Sequence, residues 1–323
     1  EKCIHNIVQI RIMQIRLQIV HIILFLLAQF VSNVGLYAWG SGHYDVNRIA
    51  LDRLPVEMKA LLSPDNRKDF VKDAKAPDDF TPWSEYEKKK GKVITPNDLA
   101  TLSKYKIKTP YALHSATGQA VNYVLLYRAL KDRDGDRIAF WGACLAHTLA
   151  DEVACNHDPL IHYLSYAFKG GYGMKFGKAG MLDFGELCGT PEGDALAVKA
   201  LNAVPLVRFG DDPQEVLVEI MLHGLKANRF MTERSVIIAS AFDPDAGDGA
   251  LADSQFAMAE LGAFGIKAWL EVITTAWALI NESKPVPVLT PEILADYKAR
   301  HTKFVTARPL KADALYAPWL KLQ

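Results

Sequence analysis

The chain has 323 residues, 50% of them hydrophobic, which is enough to bury one large core. Formal net charge at pH 7 is zero, and with residues 1–38 set aside the remainder is close to neutral. That balance excludes a protein that grips double-stranded nucleic acid by its phosphates, which needs a concentrated basic surface; a short or single-stranded nucleic acid stays compatible with it.

Residues 1–38 read as a signal peptide. Arg11 and Arg16 precede an apolar run from Leu17 to Ala28, and a more polar stretch ends at Leu36-Tyr37-Ala38. The run contains Gln18 and His21, is followed by Gln29, and is short for a spanning helix. Cleavage after Ala38 is expected, with the mature chain starting at Trp39 and secreted or periplasmic; a retained membrane anchor is the alternative. Such a compartment permits disulfides. Cys144 and Cys155 are about three turns apart if one helix holds both, too far to bond. A Cys155–Cys188 bridge and three buried thiols both stay open.

From Trp39 the chain runs Trp-Gly-Ser-Gly-His43, and Val46, Ile49, Ala50 and Leu54 then recur at helical spacing. His43 therefore stands at the start of a first helix, followed by a short one from Pro55 to Leu62. Residues 63–112, with Pro64, Pro77, Pro82, Pro96 and Pro110, read as loop-rich, and Lys88-Lys89-Lys90 as a solvated face. Asp78 and Asp79 follow Pro77 there. His114 opens the next helix, to about Lys131, and Asp136 is expected to cap the helix after it.

That helix leads into the densest cluster of chemistry-bearing residues, His147, Asp151, His157 and His162. His147 and Asp151 are four apart, so they project from one helix face and can grip one cation together. His157 lies near the helix end that Pro159 marks. Any single histidine among Trp141, Leu145 and Leu149 reads as a hydrogen-bonded core residue; three with an aspartate favour a metal site.

Asp132-Arg-Asp134-Gly-Asp136 and Asp243-Pro-Asp245-Ala-Gly-Asp248-Gly read as turns, because the twelfth-position Glu of a full calcium loop is missing. Residues 169–193 begin with a glycine-rich run without the Gly-Lys-Ser/Thr of a phosphate loop, and read as a mobile loop or lid. Helices are expected at 194–207, 213–242, 254–283 and 291–305. With no sustained period-two alternation, residues 39–323 read as one all-α domain. His301 is assigned no role.

Taken together, Trp39-Gly-Ser-Gly-His43, Asn47-Arg-Ile-Ala, Leu54-Pro-Val-Glu-Met58, Pro77-Asp78, His114 and His147-x3-Asp151-x5-His157 resemble the zinc-dependent phospholipases C and the fungal-type single-strand-specific nucleases. The resemblance covers Trp39 to roughly Arg229 thinly. It implies a single helical domain around a polynuclear zinc site of up to three ions, with the Trp39 amino group, freed by cleavage, among the ligands. By resemblance, Asp78, His114, His147 and Asp151 hold one zinc. Trp39, His43 and Asp151 hold another, and His223 with His157 or His162 holds the third. The resemblance departs at Ala227, four residues after His223, where the family has a carboxylate; Glu219 is one replacement to consider.

The activity this implies is phosphodiester hydrolysis by a metal-bound hydroxide, with Asp78 and Asp151 among the catalytic residues. The partner is a phospholipid, with peripheral membrane contact, or a single-stranded nucleic acid, for which Trp83, Tyr163 or Tyr172 could stack bases. Phospholipase C-like chemistry stands ahead of nuclease chemistry. A non-catalytic, membrane-anchored metal-binding protein is the alternative outside enzymes, and His157-Asp158 suggests a helical His-Asp phosphohydrolase as a further one.

Overall fold

The structure is a computed structural model describing residues 39–158, 160, 161, 164, 184–242 and 248–307. Residues 1–38, read above as a signal peptide, His162, Tyr163, Tyr172, the glycine-rich sequence 169–183 and residues 243–247 lie outside the described residues. Among those described, every regular element is helical, as the periodicity predicts.

The order is α1 (Gly42–Arg53), α2 (Val56–Lys59), α3 (Pro64–Lys72), a 3-10 turn (Asp73–Asp78), α4 (Trp83–Lys90), α5 (Pro96–Lys104), a 3-10 turn (Pro110–His114), α6 (Ala116–Asp132) and α7 (Gly135–Asp151). After a short 3-10 turn (Cys155–His157) come α8 (Phe184–Cys188), α9 (Pro191–Asn202), α10 (Pro213–Ser240), α11 (Asp248–Asn281) and α12 (Pro291–Ala307).

Region 63–112 is more helical than its prolines suggest. Ser63 and Thr95 cap α3 and α5 in reciprocal capping boxes with Asn66 and Asp98, and Pro64 and Pro96 sit in the first turn. A proline there loses no helix bond and arrives with helical φ, so it starts a helix instead of breaking one. The start of α7 is also corrected. Asp134, not Asp136, is the cap, accepting from the Arg137 N–H at 3.2 Å. Asp136 lies inside α7 and accepts instead from the Asn66 side chain at 2.5 Å.

Every residue of α7 from Arg137 to Asp151 is buried, and α6, α11, α3, α1 and the 73–78 turn pack around it. A helix apolar on all sides is stable only when surrounded in this way. Trp269 of α11 donates its indole N–H to the Gly142 carbonyl at 3.0 Å and holds the ring of Phe70 5.2 Å away. The best window of α11 has a mean hydropathy of 1.4, apolar enough to cross a membrane, and 67% of that window is buried inside the domain. At the far end of α7 the Arg137 guanidinium grips both oxygens of the fully buried Asp98, at 2.8 and 3.2 Å. Cys144, Cys155 and Cys188 are all buried free thiols, so the Cys155–Cys188 bridge is not formed. The Cys155 Sγ lies 3.9 Å from the Met258 Sδ.

One close approach bears on the site. A Cβ at Gly118, in the first turn of α6, would fall 2.1 Å from the Ala112 carbonyl oxygen and 2.6 Å from the Leu113 Cα. Those atoms belong to the turn that carries His114. Gly118→Ala is therefore expected to destabilise the fold by about 1–3 kcal/mol, as overpacking does, and to weaken divalent-cation binding with it. An unchanged thermal melt and an unchanged zinc titration would contradict this.

Candidate metal centre

Four elements converge at the C-terminal end of α7. His147 and Asp151 lie one turn apart on α7, Asp78 ends one 3-10 turn, His114 ends the other, and His43 comes from α1. His147 Nε2 is 3.4 Å from Asp78 Oδ1, 3.7 Å from Asp151 Oδ2 and 3.0 Å from His114 Nε2. His114 Nε2 is 3.0 Å from Asp151 Oδ2 and 3.8 Å from Asp78 Oδ1. His43 Nε2 is 3.0 Å from Asp151 Oδ1, and its ring stacks on that of His147 with centroids 3.8 Å apart.

These residues form two overlapping groups able to hold a metal ion, His43, His147 and Asp151 in one, and Asp78, His114 and His147 in the other, with the ligand atoms of each within 4.8 Å of one another. The tautomers support that use. His147 Nδ1 stands 2.6 Å from the Ala74 carbonyl oxygen and His114 Nδ1 stands 2.8 Å from that of Tyr111. In both rings Nδ1–H therefore donates to the backbone, and in the neutral forms the two Nε2 lone pairs face one another and the carboxylates. Fixing the remote ring nitrogen by a backbone carbonyl is how metal-bound histidines are commonly oriented.

The neighbouring pair points the same way. His43 Nε2 and Asp151 Oδ1 are buried and close, yet off line for a hydrogen bond, and neither has another hydrogen-bond partner among the described residues. A buried polar atom left unsatisfied costs about 1–3 kcal/mol. A cation shared by the two would satisfy both.

The electrostatics divide the histidines. Burial alone would raise the Asp151 carboxyl, but the imidazoles of His147, His114 and His43 overcome it and hold Asp151 well below the ordinary carboxylate range. Burial would likewise raise Asp78, and its contact with His147 outweighs that and lowers it. His147 is pushed down by burial and by His43, against the pull of Asp151 and Asp78, so it stays neutral with a lone pair to offer. Burial also acts to lower His114, but hydrogen bonding to Asp151 more than reverses it. The proton on His114 is thus what a bound cation would displace. Cation binding is expected to release a proton below the raised pKa of His114, and less as pH rises through it. Calorimetric titration of zinc in buffers of different ionisation heat measures that release; binding with no proton released on the acid side of that pKa would contradict it.

The remaining candidate residues stand apart from these groups. Trp39 is fully buried at φ 38°, stacked on Phe184 at 5.4 Å, and its carbonyl accepts from the His43 N–H at 3.4 Å. His157 is exposed, with Nδ1 3.1 Å from the Asp151 carbonyl oxygen, and among the described residues it joins neither metal-holding group. His223, buried on α10, pairs its Nδ1 with Glu152 Oε2 at 2.5 Å. Glu219 is engaged by Lys226, at 2.9 Å, and by Arg300, so it is not the carboxylate partner of His223. Asp79 accepts from the Thr81 N–H at 2.6 Å. Asp158 is buried and accepts from the Leu160 N–H at 2.9 Å. Trp83 is a core residue packed on Tyr86 and Trp141, not an exposed stacking face.

Two features escaped the sequence. Glu152 faces away from Asp151 toward His223, oriented by the Gln119 amide at 2.9 Å, and Gly224 leaves it room, since a Cβ there would fall 2.7 Å from Glu152 Oε1. The adjacent acid Asp151 masked it. Phe80 and Tyr111, 65% and 46% exposed, stack with centroids 4.2 Å apart, and the Tyr111 ring lies 4.8 Å from that of His114. Their proximity to Asp78 and His114 in sequence was the available signal.

Among the described residues, fold and site together define an all-α protein with a His/Asp cluster, buried at His43, His147 and Asp151 and half-buried at Asp78 and His114, able to hold a metal ion. No protein-family model, curated protein or solved structure matches the chain.

Proposed function

We propose that this chain is an exported zinc-dependent phosphodiester hydrolase of phospholipase C-like type. The observation that carries the proposal is the cluster itself. His43, Asp78, His114 and the His147–Asp151 pair come from separate stretches of sequence and share one small volume, with the Nε2 atoms of His114 and His147 turned inward by backbone carbonyls. In this proposal Asp78, His114, His147 and Asp151 hold one zinc, and His43 and Asp151 another, joined by Trp39 once cleavage after Ala38 frees its amine. A third would use His223 with Glu152, in place of the carboxylate absent at Ala227, and His157 or His162. When bound, such ions acidify a water and neutralise charge on a phosphodiester.

The chain's own residues account for the rest. Asp151, through its two oxygens, links the His43 and His114 sides of the cluster and keeps its charge in a buried setting. The exposed Phe80–Tyr111 stack beside His114 offers an aromatic face to a substrate group next to the phosphate. A quaternary ammonium fits that face by cation–π attraction, and a base fits it by stacking, so single-strand nuclease activity is the second reading. Hydrolysis of a chromogenic phosphocholine ester, compared with cleavage of single-stranded DNA, decides between them, with His147→Ala as the inactive control. Activity on neither substrate with zinc bound would count against both and favour a non-catalytic metal-binding protein.

A further inference from the structure

At the opposite end of α7 from the metal cluster, roughly 20 Å away along the helix, a cavity of about 550 Å³ opens between α5, the end of α6 and the start of α7. Lys104, Arg128, Asp132 and Arg137 line it together with Thr95 and Thr101. The charges are unequally matched. Arg137 is neutralised by Asp98, and its Nη1 also meets Asp132 at 3.2 Å. Arg128 has no carboxylate partner among the described residues and makes one hydrogen bond, to the Thr101 hydroxyl at 2.7 Å. Lys104 has no carboxylate partner either, and its ammonium rests over the Tyr105 ring at 5.2 Å.

Arg48, Arg208, Arg234 and Arg300 each pair with carboxylates, whereas Arg53 and Arg67 rest on an amide and on backbone carbonyls and Arg133 on the Trp277 ring; Arg128 differs from these three in lining a concave wall beside Lys104. A half-buried guanidinium keeps most of its N–H donors to satisfy, and a concave wall focuses its field. The frame is fixed as well. Asp98 accepts from the Thr95 N–H at 3.0 Å and is gripped by Arg137, which ties α5 to α7.

We propose that this cavity is an anion-binding site for a phosphate group, held by the Arg128 fork and the Lys104 ammonium with the Thr95 hydroxyl beside them. Arg128 supplies parallel donors that match two phosphate oxygens, and Lys104 supplies a point charge. The volume admits a phosphate bearing a small organic group. Asp132 sets the upper limit on affinity, because its carboxylate faces the same space. The site is independent of the metal cluster and of the function proposed for it.

Titration calorimetry of the full chain with inorganic phosphate, at constant ionic strength, tests this. Arg128→Gln and Lys104→Gln are each expected to weaken binding about tenfold, the loss of one charge-assisted contact. Asp132→Asn should tighten it, a change of opposite sign that general destabilisation would not produce. His147→Ala separates this site from any phosphate bound at the metal cluster and should leave the affinity unchanged. If Arg128→Gln does not fold, Lys104→Gln and Asp132→Asn still decide. Sedimentation with phosphatidate vesicles, repeated with Lys104→Gln, distinguishes a lipid headgroup from free phosphate. Wild-type affinity in Arg128→Gln and Lys104→Gln, or binding abolished by His147→Ala alone, would overturn the proposal.

Discussion

His147→Ala is expected to remove divalent-cation binding and to lower phosphodiesterase kcat/KM by about a thousandfold or more, since a catalytic metal supplies several kcal/mol and each 1.36 kcal/mol is tenfold in rate. His147 is the residue common to both metal-holding groups and is fully buried. Its Nδ1–H also bonds the Ala74 carbonyl, which anchors the turn that ends in Asp78. Alanine favours the helical conformation, so α7 itself should persist. Circular dichroism with little change in helix content, alongside lost zinc and lost activity, is the expected pattern. Full activity in this variant would remove the site from any account of function.

Asp151→Asn keeps the shape of the side chain and removes one buried charge. It should lower zinc affinity at both groups together, because the two Asp151 oxygens face His43 on one side and His114 on the other. In the ion-free protein it should cost roughly 3 kcal/mol, the scale for breaking a buried charged pair. Its pH signature follows from the shifts. The depressed carboxyl of Asp151 contributes stability above the ordinary carboxylate range, lost as pH falls through its folded value. His114, raised by Asp151, contributes stability that is complete below the ordinary histidine range and lost as pH rises through its folded value. The ion-free wild type should therefore be most stable between these limits, and Asp151→Asn should flatten both limbs. Denaturant melts across pH measure this; parallel profiles for the two proteins would contradict it.

The helical class was legible because apolar residues recur at helical spacing and never alternate over a strand's length. Region 63–112 was the exception, because Pro64 and Pro96 read as breakers until Ser63, Asn66, Thr95 and Asp98 are seen as two capping boxes. Of the site, only His147 and Asp151 are linked by spacing, four residues apart on one helix face. His43, Asp78 and His114 come from three other elements, and no local pattern unites them; resemblance to a known family was what singled them out. Glu152 was invisible for a different reason. Its neighbour Asp151 drew the carboxylate role, and only packing shows that the next side chain turns toward His223 on α10.

His43, Asp78, His114, His147 and Asp151 are expected to hold metal. Elemental analysis of the purified chain, equilibrated with zinc and then desalted, tests it most directly. About two or more zinc ions per chain are expected, the number a polynuclear hydrolytic site requires, falling sharply in His147→Ala and in Asp151→Asn. Less than one ion per chain, or a metal content that neither substitution changes, would contradict it.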